Sequence, residues 1–286
     1  TLMREMVTPV VVEDDHLVDL VGTGGDGANL FNVSTASCFV VAAAGGKVAK
    51  HGNRSVSSTS GSSDVLEALG VPLDLTPEQV ARAIDEVGLG FMFAPAHHSA
   101  MRHAIGPRRE LGMRTLFNLL GPLTNPAGVR RQVLGVFDAH WCEPMAHALA
   151  ALGSEHVLVV HSEDGLDEIS IAAPTRACEV RGGEVSSYAI DPADYGLAFP
   201  DLEGLAVRSA AESAALIRGA LGGDASAEKA RAIIALNAGA TIYVAGLAGT
   251  LADGVALAED VISSGQAMEK LRTFVDFTQL LSGSNA

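Results

Sequence analysis

The stretch DLVGTGGDGANLFNVSTAS, Asp19–Ser37, decides how the chain is read. A short apolar run enters it, and Gly22, Gly24, Gly25 and Gly27 crowd its middle. An apolar helical pattern leaves it. Strand, glycine turn and helix in that order open a βαβ unit, where free backbone N–H groups can meet an anion. Gly22, Gly24 and Gly27 match G-x-G-x-x-G, so a dinucleotide fold is the first candidate. That fold needs an acid about 20 residues further on to hold the ribose hydroxyls. None is present. From Gly27 through Ser63 there is no Asp or Glu, and the charged residues are Lys47, Lys50 and Arg54, with His51 beside them. No G-K-[ST] follows the glycines, which removes a P-loop as well. An acid-free, weakly basic window is what a polyanion site requires.

The rest of the chain makes that window stand out. Acids outnumber bases 34 to 19 over 286 residues, a net charge of −15, which argues against nucleic acid and anionic membrane as partners. Cys38, Cys142 and Cys178 lack CxxC spacing and read as small core residues in a reducing cytoplasm. No basic segment leads into an apolar core at the start, so no signal peptide is expected. The uncharged run Ala232–Ala252 contains Asn237, Gly239 and Thr241 and has no flanking aromatic anchors; it reads as a buried helix, not a membrane span.

Short apolar runs alternate with helical patterns. LVDLVG (17–22), KVAKHG (47–52), FMFA (91–94), QVLGVF (132–137) and HVLVVH (156–161) read as strands. Helices are expected over 34–45, up to Leu69, from Pro77, from Ala96 to about Leu111, within EPMAHALAAL, and through most of the chain after Ser209. Thr76, Pro77 and Gln79 spell a capped helix start with a capping box. The rhythm predicts an α/β fold, a mostly parallel central sheet flanked by helices on both faces. Ligands of such sheets bind outside the carboxyl ends of the strands, where the glycine loop lies.

Two segments of the window suit phosphate. NVST (32–35) sets Ser34 and Thr35 at a helix start, where hydroxyls and N–H groups meet the positive dipole end. KHGNRSVSSTSGS (50–62) offers Lys50, Arg54 and a row of hydroxyls. Each alone is also consistent with a capped helix or a plain Ser-rich loop; behind one glycine loop they point together to a ligand. Asp26 would repel a pyrophosphate, so it is expected either to bond a sugar hydroxyl or to arrange a metal's water shell. Asp167–Glu168, just after a strand, supply the carboxylate pair that a phosphate-bridging Mg2+ needs. His97, His98 and His103 lack H-x-x-x-H spacing and read as cleft lining or surface.

GTGGDG…NVSTAS, KHGNRSVSSTSGSSD, FNLLGPLTNPA and DGLDEIS, in this order and spacing, resemble the anthranilate phosphoribosyltransferases over roughly residues 17–280. The resemblance implies transfer of ribose 5-phosphate from phosphoribosyl pyrophosphate (PRPP) to the amine of anthranilate, with Mg2+ as cofactor. It implies a PRPP site at Gly22, Gly25, Asp26, Asn32, Ser34, Thr35, Lys50, His51, Gly52, Asn53, Arg54, Ser55, Val56, Ser57, Ser58 and Ser62. Gly22, Asn53 and Arg108 would meet anthranilate, and Ser34, Asp167 and Glu168 would hold the metal. No general base is assigned. It further implies a homodimer and a small helical domain made from residues 1–16 and 106–127, the α/β domain taking 17–105 and 128–286. Relatives carry a longer helical segment before the glycine loop, so that small domain is expected to be shortened. Leu30 stands where the family generally has Ser or Thr, and one ligand hydrogen bond is expected to be missing. A pyrimidine nucleoside phosphorylase-like enzyme and a non-catalytic nucleic-acid-binding relative of the same fold are the alternatives.

Overall fold

Residues 2–14, 16–54, 60–98 and 116–283 are described by a computed structural model of the chain. Its strands are β1 (Val18–Gly22), β2 (Val48–Gly52), β3 (Leu89–Phe93), β4 (Arg131–Gly135), β5 (His156–Ser162), β6 (Thr175–Arg181) and β7 (Glu184–Ile190). They form one sheet in the order β3-β2-β1-β4-β5-β6-β7. β1 to β5 run parallel, and β6 and β7 run antiparallel beyond them. The β1–β4 register pairs Gly22 with Gly135, so both strands end at the same level.

The central strands are apolar almost throughout because both faces are covered. Successive side chains point to opposite faces. Val18, Leu20, Val133, Leu158 and Val160 join the larger core, together with the helices Val33–Ala43, Glu228–Ala245 and Gln266–Gly283. Leu134, Val157 and Val159 belong to a second core with Met145, Ala146 and Leu149 of the helix Cys142–Ala151. Glu228–Ala245 is buried nearly all round, which is why its sequence shows no polar stripe. The run Ala232–Ala252 is thus an internal helix that ends at Gly246, followed by the start of the next helix, Leu251–Ser263. No helix among the described residues is long and apolar enough to cross a membrane. The helix Pro77–Val87 has the expected capping box: Gln79 N–H donates to Thr76 Oγ1 (3.3 Å), and Thr76 N–H donates to Gln79 Oε1 (2.9 Å).

Two expectations change. The strand anticipated at 91–94 begins at Leu89 and ends at Phe93, where Pro95 favours a short helix, Ala94–His97. The helix anticipated to run on to Leu111 falls, from Ser99 onward, outside the described residues. The β6–β7 hairpin was not anticipated. Its turn is Gly182–Gly183, both at positive φ (60° and 87°), as a two-residue type I′ connection demands. The Gly-Gly pair between TRACEVR and EVSSYAI was the available signal.

Candidate functional site

β1 leads outward to β2 and β3, whereas β4 leads the opposite way to β5; the order reverses between β1 and β4. A cavity of about 410 Å3 opens at the carboxyl ends of these strands. This is the switch-point crevice where doubly wound sheets take ligands. Its walls are the glycine loop after β1, the start of the helix Val33–Ala43, residues 50–54 and 60–62, and the acid pair after β5. Met3, Pro95, His98, Asn118, Pro122 and Thr124 complete the far side. Gly22, Gly25, Asp26, Asn32, Ser34, Lys50, His51, Gly52, Asn53, Arg54, Ser62, Asp167 and Glu168 all line it. Ser55, Val56, Ser57, Ser58, His103 and Arg108 lie outside the described residues.

Thr35 departs from the expectation. It is buried within the first turn of its helix, and its hydroxyl has no hydrogen-bond partner among the described residues. The helix period explains this: Ser34 faces the cavity, and the next residue is turned toward the core. Asn32 lies at the entrance of the same helix without capping it through its side chain. Its Oδ1 accepts from Ser60 Oγ (3.0 Å) and Ser213 Oγ (2.8 Å), and its Nδ2 donates to the Ser60 carbonyl (3.1 Å). Leu30 lines the cavity while also packing against the larger core, and it bridges to Ala206.

The acids converge beneath the glycine loop. Gly24 N–H donates to Asp167 Oδ2 at 2.6 Å. Asp26, which also accepts from Ala28 N–H (3.2 Å), shares a hydrogen bond with Asp167. Burial, then the neighbouring Asp26, pushes the Asp167 carboxyl well above the usual carboxylate range. Glu168 is also pushed well above the usual carboxylate range, by burial and then by Asp167, although Lys50 and the Ser34 N–H at the helix start favour its charge. Asp167 can lie this close only because Gly22 and Gly135 lack side chains. A Cβ on Gly135 would overlap the Asp167 carbonyl oxygen, and one on Gly22 would overlap Asp167 Oδ2.

Lys50 is buried below them and donates to the Leu20 carbonyl (2.6 Å) and to Ser34 Oγ (3.3 Å). Arg54 is exposed and forked between Glu67 (2.6 and 2.9 Å) and Asp64 (3.0 Å), 5.8 Å from the centre of the Phe93 ring. Its guanidinium is therefore shared with protein carboxylates, and an incoming phosphate has to compete for it.

The opposite wall holds two imidazoles. His98 Nε2 lies 3.2 Å from His51 Nε2, and His51 bonds the Gly121 backbone through its ring. Both rings cannot be charged at this distance. Burial, then His98, His97 and Lys50, drives the His51 imidazole down to about 3. With His51 donating to the Gly121 carbonyl, its Nε2 is the acceptor and His98 Nε2–H the donor. His97 turns away and bonds the Thr8 carbonyl (2.9 Å).

Sequence reasoning gave no role at the site to Asp19 and Asn125, and it used Asn237 only as a mark against a membrane span. Asp19 is fully buried; burial raises its carboxyl to about 6, against Lys50 and hydrogen bonds from Asn125, His51 N–H and Gln132. Asn125 Nδ2 ties Asp19 Oδ2 to the Ala49 carbonyl, 2.9 Å each. Asn237 bonds both backbone groups of Ile169. A lone amide or carboxylate inside an apolar run was the available signal, because buried polar groups must find partners.

Among the described residues no three His, Cys, Asp or Glu side chains form a ready metal cage. Buried Asp167, half-buried Glu168 and the Ser34 hydroxyl nevertheless form an all-oxygen donor set with excess negative charge. Such a set fits a hard divalent ion that takes its remaining ligands from water and substrate phosphates.

A doubly wound sheet with a glycine loop and an oxygen-donor cluster at its switch point defines a class of sugar-phosphate transferases. Residues 14–268 match one such family, described as "Glycosyl transferase family, a/b domain". An anthranilate phosphoribosyltransferase of Teredinibacter turnerae is 65% identical over 281 residues, covering 98% of this chain and 82% of that protein. The crystal structure of anthranilate phosphoribosyltransferase from Thermus thermophilus superposes with a TM-score of 0.90 at 49% identity, covering 97% of this chain and 82% of that one. The Saccharomyces cerevisiae enzyme, solved in complex with PRPP and Mg, gives a TM-score of 0.85 at 29% identity, covering 97% and 77%. The chain belongs to the anthranilate phosphoribosyltransferase family.

Proposed function

We infer that this chain transfers the 5-phosphoribosyl group of PRPP to the amine of anthranilate, releasing pyrophosphate. The observation that carries the reading is the convergence of Asp26, Asp167 and Glu168 on a helix start and a buried lysine beneath a glycine loop. A site for pyrophosphate alone would not gather carboxylates. A site for a ribose and a metal-bound pyrophosphate gains from them.

Ser34, Asp167 and Glu168 would hold Mg2+, which when bound offsets the charge of the departing pyrophosphate. The glycine-loop N–H groups and the helix start bring fixed positive potential to the phosphate oxygens without reorganisation. Asp26 takes a ribose hydroxyl or orients water at the metal. Gly22 and Asn53 border the position for anthranilate, with Arg108 assigned to its carboxylate. Neutral His51 and His98 give that wall a polar but uncharged surface, which suits an aromatic ring carrying an amine. Positive charge develops at the anomeric carbon as pyrophosphate leaves, and an aryl amine attacks such a carbon readily once aligned. No dedicated base is needed.

A homodimer in the cytoplasm, with a small helical domain drawn from residues 1–16 and 106–127, completes the reading. The Arg4 Nε bond to the Leu123 carbonyl (2.6 Å) supports placing those two segments together. The test is pyrophosphate release on mixing the protein with PRPP, Mg2+ and anthranilate, each omitted in turn. Release that requires all three supports the reading; release with PRPP alone, or phosphorolysis of nucleosides without it, overturns it.

A further inference from the structure

We propose that Asn237, on the helix Glu228–Ala245, is the positioning residue of the acid pair: its side-chain amide straps the backbone of Ile169 and so sets where Asp167 and Glu168 point. The inference takes its ligand, a metal-bound PRPP, from the function proposed above.

Asp167 and Glu168 sit on a loop, and a loop carries no ladder of backbone hydrogen bonds to hold it in place. Asn237 supplies the substitute. Its Oδ1 accepts from Ile169 N–H at 2.9 Å, and its Nδ2 donates to the Ile169 carbonyl at 2.9 Å and to the Ile233 carbonyl at 2.8 Å. One amide thus pairs with both backbone groups of Ile169, as a neighbouring strand would. The third bond returns to its own helix and fixes the rotamer. Asn237 and Ile169 are both fully buried, and Asn237 is not part of the cavity wall.

The neighbouring anchors leave the acids at the middle of a short braced span. Upstream, Ser162 N–H donates to the Leu166 carbonyl (3.0 Å), which closes the turn after β5. Downstream, Ser170 N–H donates to Thr175 Oγ1 (3.1 Å), and Ser170 Oγ donates to Asp164 Oδ2 (2.5 Å). Between these anchors, Asp167 presses against Gly135, and Ile169 is held by Asn237. Loss of the strap frees the chain directly after Glu168, on the side that Gly135 does not support. Carboxylates must be held to fractions of an ångström to share a metal with a substrate phosphate, so the first property lost is affinity for metal-bound PRPP.

The test compares Asn237→Ala with Thr241→Val in the full chain. Thr241 is equally buried one turn along the same helix, and its hydroxyl donates only to the Asn237 carbonyl (2.8 Å). Its loss perturbs the helix but leaves the amide on Ile169. Calorimetry measures binding of Mn2+ with PRPP, and steady-state rates give KM for Mg2+, PRPP and anthranilate below both melting temperatures. Asn237→Ala should weaken Mn2+-PRPP binding and raise the Mg2+ requirement at least tenfold, with anthranilate KM within twofold of the parent; Thr241→Val should match the parent. If Asn237→Ala does not fold, Asn237→Asp is read by the same criteria, since it keeps the size and one acceptor but loses both donors. Mn2+-PRPP affinity within twofold of the parent, or equal losses in the Thr241 variant, overturns the strap. A parent that itself binds no Mn2+-PRPP overturns the proposed function instead.

Discussion

Substituting Gly135 with Ala tests whether the acid loop must lie hard against the end of β4. The added methyl would overlap the Asp167 carbonyl oxygen and lie 2.5 Å from its carbonyl carbon, whereas ordinary contact begins near 3.4 Å. The obstacle is backbone, so no side-chain rotation relieves it, and the loop has to retreat by at least about 1 Å: the carbonyl carbon needs that much, and the nearer carbonyl oxygen needs more. Overpacking of this kind costs about 1–3 kcal/mol of stability. For a protein of this size that lowers Tm by several degrees, roughly 2–4 °C for each kcal/mol. The catalytic loss should be larger: a misplacement of about 1 Å in a positioning group can cost about 100-fold, or about 2.7 kcal/mol of transition-state stabilisation. Gly22→Ala serves as the milder partner, because its methyl would meet the Asp167 carboxylate, which can swing aside at the expense of the 2.6 Å bond from Gly24. The assay is kcat/KM for PRPP at saturating Mg2+ and anthranilate, with Tm measured on the same samples. The expected order is parent, Gly22→Ala, Gly135→Ala. If Gly135→Ala folds and retains kcat/KM within threefold of the parent, close docking of the loop is irrelevant to the reaction.

Asp167→Ala and Glu168→Ala should each demand far more Mg2+ and PRPP while leaving the fold intact; an unchanged Mg2+ titration in either removes the metal role. Leu30→Ser should tighten PRPP modestly, by less than the roughly 1.5–3 kcal/mol of a full charge-assisted bond. Because Leu30 also packs on the core, Tm should fall slightly; calorimetry showing weaker PRPP binding would assign the residue to packing alone. Arg108→Ala should lower apparent anthranilate affinity at least tenfold, in line with about 2–5 kcal/mol for stranding a buried charged partner, and Arg108→Lys should recover only part. Equal losses for anthranilate and for aniline, which lacks the carboxylate, would refute a carboxylate contact. His51 is protonated below about 6.5 when unfolded but only below about 3 when folded, so its contribution erodes as pH falls from 6.5 toward 3. Asp19, raised to about 6, acts in the opposite sense, losing its contribution as pH rises from 3.8 through 6. His51→Asn should therefore flatten the acid-side decline of Tm, and an unchanged slope would place the decline elsewhere.

What was legible in the sequence, and what was not, follows from how far each signal reaches. β1 to β5 and the helix Pro77–Val87 were readable because their causes are local: apolar runs buried on both faces, and a capping box spelled within four residues. The proposed phosphate site beside the glycine loop rests on an absence legible in the sequence, the acid-free stretch from Gly27 to Ser63. The role of Asp26 was not, because it depends on Asp167, far along the chain, arriving beneath the loop. Lys50 reads as a phosphate ligand, yet its ammonium is spent partly on the Leu20 carbonyl and Ser34, which makes it the internal counter-charge of the acids as much as a contact for substrate. Arg54 likewise meets Asp64 and Glu67 at the end of the acid-free window, and nothing in its own neighbourhood of sequence says which anion it holds. The placement of the Thr35 side chain was not legible from residue type alone: next to a cavity-facing Ser34, the helix turns the following side chain inward. The chemistry here depends on unfavourable charge held in place. Burial that raises Asp167 and Glu168 makes the free protein less stable with both ionised, and in the proposed reading a cation bound there would relieve that cost. The strain arises only where the stacked strands bring Asp26 and Asp167 together, which is why the motif names the residues and only the fold explains their raised carboxyls.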